Sequence, residues 1–454
     1  MNTIGGYFLK KSGDNISIKE NMIQGKKFRF TILTEHLVRL EYSPNGIFED
    51  RPSQRVVFRK FPKVAFNVTQ SETLMQVTTP CFTLDYVKEK PFSSSKLTPG
   101  NTLKVTLNQT DRIWYYGHPQ ARNFGGITYS LDHFSGSLKL DKGFYSTDGF
   151  AVLDDSDSLV LDETGDYVTR NNHSLDIYVF MYRKELGVCL QEYYTLTGYP
   201  AMIPRYALGN WWYKNKKYTT EELKQLVTKF RDNKIPISTI LLGNKWHVDG
   251  DPFFGDEENL NMVEVRQFLN HHHMKLGLTI SPQLPASSSS QTYQTIANVV
   301  QGLEGQEYSF LPLDNQKLNF YATYGFRNWL SLGVDAFYID YNNSRDKETL
   351  ALLSQYGYAM NDLFLNKRGV ILARNHQLAS HRDQIIFTGE TKVDWNTLSI
   401  LPRYYATASN NGLSFIASPI GGYYDGIENF ELYIRYIQLG VFSSMLILAS
   451  DDGK

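Results

Sequence analysis

From about Pro200 onward the chain alternates short apolar runs with amphipathic stretches, and this alternation constrains the fold more than any other feature. The runs are Ala207–Trp211, Ile237–Leu242, Leu276–Ile280, Ala336–Ile339, Gly369–Leu372, Ile385–Phe387, Leu413–Ala417 and Met445–Leu448. A continuous apolar run of this length reads as a parallel strand covered on both faces, and the helical stretch behind it as the crossover. Thr219-Thr-Glu-Glu222 has capping-box spacing, and Leu223, Leu226, Val227 and Phe230 then fall on one helical face. Eight strand–helix repeats over roughly 250 residues match the size of a (β/α)8 barrel, whose only open face lies at the strands' C-terminal ends.

Residues 1–198 follow another rhythm. Phe28, Phe30 and Ile32 alternate with polar positions, as do Val38, Leu40 and Tyr42, and Leu103–Leu107 and Asp176–Phe180 repeat the habit. Turn signals separate them at Ser43-Pro-Asn-Gly46, Thr79-Pro80, Gly125-Gly126 and Asp162-Glu-Thr-Gly-Asp166. Many short strands without helices between them predict a β-sandwich. The expected organisation is thus α/β: an N-terminal β-sandwich over 1–198, then a (β/α)8 TIM barrel over 199–454 that ends after strand eight. No compact catalytic constellation is legible in the first of these.

Composition closes off several functions. The net charge is −1 with the basic residues scattered, which excludes an electrostatic footprint for nucleic acid or an anionic membrane. The most apolar segment, Leu439–Ala449, is too short to span a bilayer, and the N-terminus lacks a signal-peptide core. Cys81 and Cys189 stand far apart and make no disulfide framework, so a cytoplasmic location is expected. His271-His272-His273 point in different directions on a helix and are read as its end. Asp249, Asp251 and Asp256 do not have calcium-loop spacing and read as a solvated acidic loop. No metal or cofactor is expected. Thirty Tyr within an aromatic content of 14% suit a sugar-binding surface and a Tyr-rich β-structure equally.

The stretch that bears chemistry is Gly333–Asn343, an apolar run that delivers Asp340 to the C-terminal end of a strand. There it is a candidate catalytic carboxylate or, alternatively, an N-cap for the next helix. Longer runs decide the reading: RFTILTEHLVRLEYSPNGIFEDRPSQ from Arg29, NFGGITYSLD from Asn123, GFYSTDGFAVLDDS from Gly143, LTGYPAMIPRYALGNWW from Leu196, GVDAFYIDYN from Gly333 and ELYIRYIQLGVFSS from Glu431. Together they resemble the glycoside hydrolase family 31 α-glycosidases. The resemblance implies a galactose-mutarotase-like sandwich before the barrel, further β domains after it, and a retaining mechanism on α-linked glycosides or oligosaccharides.

Carried over residue by residue, the resemblance makes Asp340 the nucleophile. The family's Ser-Gly-Asp run after strand six is here Thr388-Gly389-Glu390, which makes Glu390 the acid/base candidate, with Trp395 at the expected spacing behind it. Arg374 matches a sugar-reaching arginine; Asn244, Trp246, Ser281 and Trp395 are further substrate-binding candidates. Four positions depart together: the family's hydroxyl-binding aspartate falls on Gly243, a His-Pro becomes Ser281-Pro282, Asp-Ile-Gly-Gly becomes Pro419-Ile-Gly-Gly422, and Arg-Leu-His becomes Ile447-Leu448-Ala449. Each lost charged hydrogen bond is worth about 1–3 kcal/mol. A second reading therefore stands beside the retaining α-glycosidase: a carbohydrate-binding relative without turnover, or a truncated product. Since the chain stops directly after strand eight, the apolar outer face of that strand is expected to self-associate as a homo-oligomer or to limit solubility.

Overall fold

The computed structural model describes residues 3–13, 16–93, 102–132, 134, 136–170, 174–303, 305–341 and 346–453. Asn342 and Asn343, which close the Gly333–Asn343 run, lie outside the described residues. Two compact units result: Met1–Ile127 with Leu140–Pro200 and Thr407–Gly412, and Thr128–Lys139 with Ala201–Ala406 and Leu413–Lys454. Residues 128–139, assigned to the sandwich by sequence, thus belong to the barrel unit, and 407–412 to the sheet unit.

The sheet unit opens with helix α1 (Ile4–Ser12) and the strands β1 (Met22–Gln24), β2 (Phe28–Ile32) and β3 (Leu37–Tyr42). Strands β4 (Asn67–Gln70), β5 (Leu74–Thr78), β6 (Phe82–Val87), β7 (Leu103–Leu107) and β8 (Ile113–Tyr115) form a second sheet in sequence order. Strand β9 (Phe150–Asp154), the ribbon β10 (Val160–Leu161) and β11 (Tyr167–Val168), strand β12 (Leu175–Met181) and helix α2 (Leu186–Thr197) follow. The first sheet runs β1-β2-β3-β12-β9, antiparallel throughout. Alternate residues of both sheets share one core, Phe30, Leu40 and Val179 meeting Val77, Leu84 and Val105. The polar positions of β2, β3 and β12 are buried as well, because they pair: Arg29 with Glu41 at 2.6 Å and Arg39 with Asp176 at 2.7 Å, with Arg170 from outside these strands also reaching Asp176 at 2.9 Å. That network explains why strands with alternating sequence are covered on both faces.

In the barrel unit, β13 (Asn210–Asn215), β14 (Thr239–Leu242), β15 (Lys275–Ile280), β16 (Ala336–Ile339), β17 (Ile371–Ala373), β18 (Ile385–Phe387), β20 (Ile416–Ile420) and β22 (Met445–Asp451) form a closed parallel barrel. A short pair, β19 (Lys392–Val393) and β21 (Tyr424–Gly426), sits beside it. Closure is made by β22, which pairs with β13 from Asn210↔Leu446 to Asn215↔Asp451. Side chains fill the interior, among them Trp211, Leu241, Tyr338, Leu372, Phe387 and Ile447. Trp211 is therefore a packing residue. The first apolar run was placed early, for Arg205–Leu208 makes a 3-10 turn behind Pro204 and the strand starts at Asn210. The seventh run, Leu413–Ala417, also lies early: the strand is Ile416–Ile420, and Pro419, which cannot donate to a ladder, stays in register opposite Ile447.

Helices α3 (Thr220–Asp232), α4 (Met262–His271), α5 (Gln291–Ala297), α6 (Asn315–Phe320), α7 (Asn328–Ser331), α8 (Lys347–Leu365), α9 (Trp395–Ser409) and α10 (Phe430–Val441) connect the strands, α6 and α7 being joined by the π-helical Tyr321–Arg327. Thr219 caps α3 reciprocally with Glu222, and Leu223 and Val227 are its buried residues. His271 ends α4, His272 caps it, and His273 takes a positive φ of 56°. Asp251 corrects the reading of its loop. It is only 3% exposed and accepts the Thr292 backbone N–H at 3.0 Å and that of Phe253 at 3.1 Å, so it fixes the start of α5 rather than facing solvent.

Candidate active site

Ala336–Ile339 is buried at every position, and the next residue leaves the sheet at the open end with its backbone still held, the Asp340 N–H donating to Ile280 O at 2.8 Å. Asp340 Oδ1 accepts from Arg374 Nη1 at 2.9 Å, and Oδ2 accepts from the Asn244 side-chain amide. Arg374 follows β17 and is 5% exposed in its side chain. Its other Nη lies 3.1 Å from Glu390 Oε1, and its Nε 3.3 Å from Asp132 Oδ2. One guanidinium thus faces three carboxylates. Because its two Nη atoms are about 2.3 Å apart, the nearest oxygens of Asp340 and Glu390 are within about 8 Å of each other. That ceiling admits a retaining pair, with carboxyls about 5–5.5 Å apart, and an inverting pair, about 6.5–9.5 Å apart, alike.

Electrostatics separates the groups. Burial works against the Arg374 charge, but Tyr338, Asp132, Asp340 and Glu390 outweigh it and hold the guanidinium firmly protonated. Burial also raises the Glu390 carboxyl to about 7; Arg374 opposes this, while Asp340, Asp132 and Asp451 add to it. A carboxylic acid that keeps its proton near neutral pH is what general acid catalysis needs. The Glu390 backbone N–H donates to Asp132 Oδ1 at 2.6 Å. Gly389 makes that approach possible: with φ at 107°, a Cβ there would lie 2.8 Å from the same carboxylate oxygen.

A hydrogen-bonded rim continues from Asp340. Asn215 Oδ1 accepts the Asn244 N–H at 3.0 Å, and Asn215 Nδ2 faces Asp451 Oδ1 at 3.4 Å. Asn244 Oδ1 is buried with no hydrogen-bond partner among the described residues. Below the carboxylates is an aromatic floor. Tyr213 and Tyr423 hydroxyls are 3.2 Å apart, Tyr213 packs edge-on against Tyr338 at 5.7 Å, and Arg374 lies 5.4 Å from the Tyr338 ring centre.

Two of the four departures, at Gly243 and at Ile447–Ala449, are packed by residues of this rim and floor. A Cβ at Gly243 would lie 2.4 Å from Asn215 Oδ1 and 2.7 Å from Asn215 Cα, so Asn215 occupies the space a side chain would need. Ile447 and Ala449 point inward and pack with Tyr213 and Tyr423. Ser281 is 7% exposed, its carbonyl accepting the Tyr321 hydroxyl at 3.1 Å.

Residues 200–454 match the model of the glycosyl hydrolases family 31 TIM-barrel domain. The chain belongs to glycoside hydrolase family 31. It is 23% identical over 394 residues to an α-xylosidase of Saccharolobus solfataricus, covering 75% of this chain and 52% of that protein. To a neutral α-glucosidase AB of Dictyostelium discoideum it is 22% identical over 300 residues, 56% of this chain and 31% of that one. The chain therefore spans about half, or less, of the length of these curated relatives. A family 31 dextranase of Flavobacterium johnsoniae superposes with a TM-score of 0.67 over 96% of this chain and 63% of its own, at 17% identity. An α-xylosidase of Xanthomonas citri gives 0.68 over 96% and 73%, at 13%. These solved structures share the fold: a closed eight-stranded barrel with an N-terminal sheet-rich unit.

Of the residues singled out from the sequence, the fold brings Asp340, Glu390, Arg374 and Asn244 together. It does not offer Trp246 to a ligand. That indole is 3% exposed, donates to Thr279 O at 2.7 Å and stands edge-on to Trp329 at 4.8 Å, because the residue after a strand end can turn back under the loop. Trp395 is 48% exposed in the first turn of α9. Sequence reasoning missed Asp132, Asn215, Tyr213 and Tyr423. A signal existed for Asp132, the last residue of the NFGGITYSLD run.

Proposed function

We propose that this chain carries the catalytic centre of a retaining α-glycosidase that acts on α-linked glucosides or xylosides. The observation that carries the reading is the single guanidinium of Arg374 between Asp340 and Glu390, with the Glu390 carboxyl raised to about 7. In this reading the Asp340 carboxylate attacks the anomeric carbon while the Glu390 carboxyl protonates the departing glycosidic oxygen. Glu390, now a carboxylate, then takes a proton from water as that water displaces Asp340 and restores both groups. Arg374 keeps the two carboxyls oriented while charge moves between them. Asn244 Oδ1 supplies a buried acceptor beside the nucleophile for a sugar hydroxyl, in a part of the site where Gly243 offers none. The relatives include both an α-xylosidase and α-glucosidases, which supports the substrate class.

The test is hydrolysis of aryl α-glucosides and α-xylosides, with the anomeric form of the first-released sugar followed by NMR. Release of the α-anomer is expected, with the rate falling as pH rises through about 7, where Glu390 loses its proton. Release of the β-anomer would refute the mechanism. A second reading is favoured by the apolar packing at Ile447 and Ala449: binding of α-glycosides without turnover. It predicts calorimetric binding that the Asp340→Asn variant retains and no hydrolysis.

We also propose a cytoplasmic location, a reading that the free Cys81 and Cys189 support. The groove of about 430 Å³ beside β22, lined by Trp212, Ile420, Phe430, Tyr433 and Leu448, is the surface proposed for self-association. Sedimentation of the purified chain as a dimer supports that, and a monodisperse monomer at high concentration contradicts it.

A further inference from the structure

Outside the barrel, one cluster has a donor set that the glycosidase reading does not use. Glu35, His36 and Cys81 each offer a ligand atom, and these atoms lie within 4.8 Å of one another. They come from two sheets. Glu35 and His36 sit in the hairpin between β2 and β3, and Cys81 in the hairpin between β5 and β6. We propose that these residues form a zinc site that staples the two sheets of the N-terminal unit.

Three observations support the assignment. The first is the orientation of the imidazole. His36 Nδ1 faces Glu192 Oε1 on α2 at 3.3 Å, and the same oxygen accepts the Thr34 hydroxyl at 2.6 Å. This leaves Nε2 turned toward Glu35, 3.9 Å from its Oε1. A carboxylate behind one ring nitrogen with the other free is the arrangement that orients zinc-binding histidines and raises their basicity. The second is the fixed backbone. Thr79 Oγ donates to Glu35 O at 2.9 Å and accepts the Cys81 N–H at 3.2 Å, while His36 O accepts the Met181 N–H at 2.7 Å. Ligands held in this way lose little further freedom on binding. The third is charge. Glu35, Glu185 and Glu192 surround His36, Arg183 is the cation near Cys81, and Glu192 Oε2 is buried with no hydrogen-bond partner among the described residues. A divalent cation on Nε2 polarises the imidazole toward the Glu192 carboxylate that its Nδ1 faces.

Donor chemistry selects the metal. Thiolate with imidazole and carboxylate suits Zn²⁺, whose ligands lie at about 2.0–2.3 Å in a tetrahedron, so the three groups contract modestly and water completes the shell. On binding, the Cys81 thiol gives up its proton and forms the sulfur–zinc bond; a protonated His36 gives up its Nε2 proton, and Glu35 needs no change at neutral pH. The site is structural and independent of the proposed glycosidase activity.

The experiment uses the full chain, stripped with a chelator and titrated with Zn²⁺ by calorimetry, and with Co²⁺ by absorbance. One equivalent of Zn²⁺ should bind with a Kd below about 1 μM and raise the Tm, and Co²⁺ should show a thiolate charge-transfer band. Cys81→Ser should abolish the band and weaken Zn²⁺ at least tenfold, and Glu192→Gln should weaken it about 10–100-fold. Cys189→Ser, which alters the other thiol, and His271→Gln with His273→Gln, which remove two exposed histidines, should leave binding unchanged. Should His36→Gln fail to fold, Cys81→Ser still decides the matter, being a one-atom change in a hairpin. Binding that survives Cys81→Ser, that vanishes with His271→Gln and His273→Gln, or that is weaker than about 100 μM would overturn the site.

Discussion

Replacing Glu390 by Gln should remove a pH dependence from the stability of the barrel unit. Burial raises this carboxyl from 4.5 to about 7, against the pull of Arg374 and with the help of Asp340, Asp132 and Asp451. The folded chain therefore binds a proton that the unfolded chain releases near 4.5. Between those values the native state holds more protons than the unfolded one, so stability falls as pH rises. The contribution is fully present below about pH 4.5 and lost by the time pH has passed about 7. At about 1.4 kcal/mol per pH unit across that window, the loss is on the order of 3 kcal/mol. Only 27% of the side chain is exposed, so solvent screening does not erase it. Glutamine cannot titrate. Urea unfolding followed by tryptophan fluorescence from pH 4 to 8 should show the wild-type chain losing about 3 kcal/mol relative to Glu390→Gln. Parallel curves for the two proteins would refute the argument, and so would a wild-type chain that gains stability relative to the variant.

Arg374→Met keeps a stem over Tyr338 but leaves Asp132, Asp340 and Glu390 without their cation, at a cost of about 3–5 kcal/mol at pH 8. Denaturation at pH 5 should show a smaller loss, because Glu390, raised to about 7, is then protonated and adds no charge to the cluster. Gly243→Ala would press a Cβ to within 2.7 Å of Asn215 Cα, and overpacking of this kind costs about 1–3 kcal/mol; a Tm equal to or above that of the parent chain would show that the loop yields freely.

How much of this was legible in the sequence depended on the range of the signal. The strand that carries Asp340 could be read because an apolar run ending in a carboxylate is a local pattern, and the Thr219–Glu222 cap is local too. The seventh strand lies later than its apolar run, Leu413–Ala417, because the ladder that carries Pro419 opposite Ile447 is a tertiary fact. Asp132 escaped because it lies far along the chain from Glu390 and Arg374: the NFGGITYSLD run that ends on it marks the family, but nothing local states which residues it will meet. Trp246 was misassigned for the converse reason: position after a strand is local, whereas burial against Trp329 is not. The departures at Gly243, Ile447 and Ala449 read as losses in sequence, and the structure shows them packed by Asn215, Tyr213 and Tyr423.

The central claim is that Asp340 attacks the sugar. Incubation with a 5-fluoro-α-glucosyl or 5-fluoro-α-xylosyl fluoride slows the second step of a double displacement, so the glycosyl group accumulates on its nucleophile. Peptide mass spectrometry should then find one glycosyl group per chain, on the peptide that contains Asp340, and none on the Asp340→Asn variant. A label on Glu390 or elsewhere, or hydrolysis that proceeds without any trapped intermediate, would contradict the account.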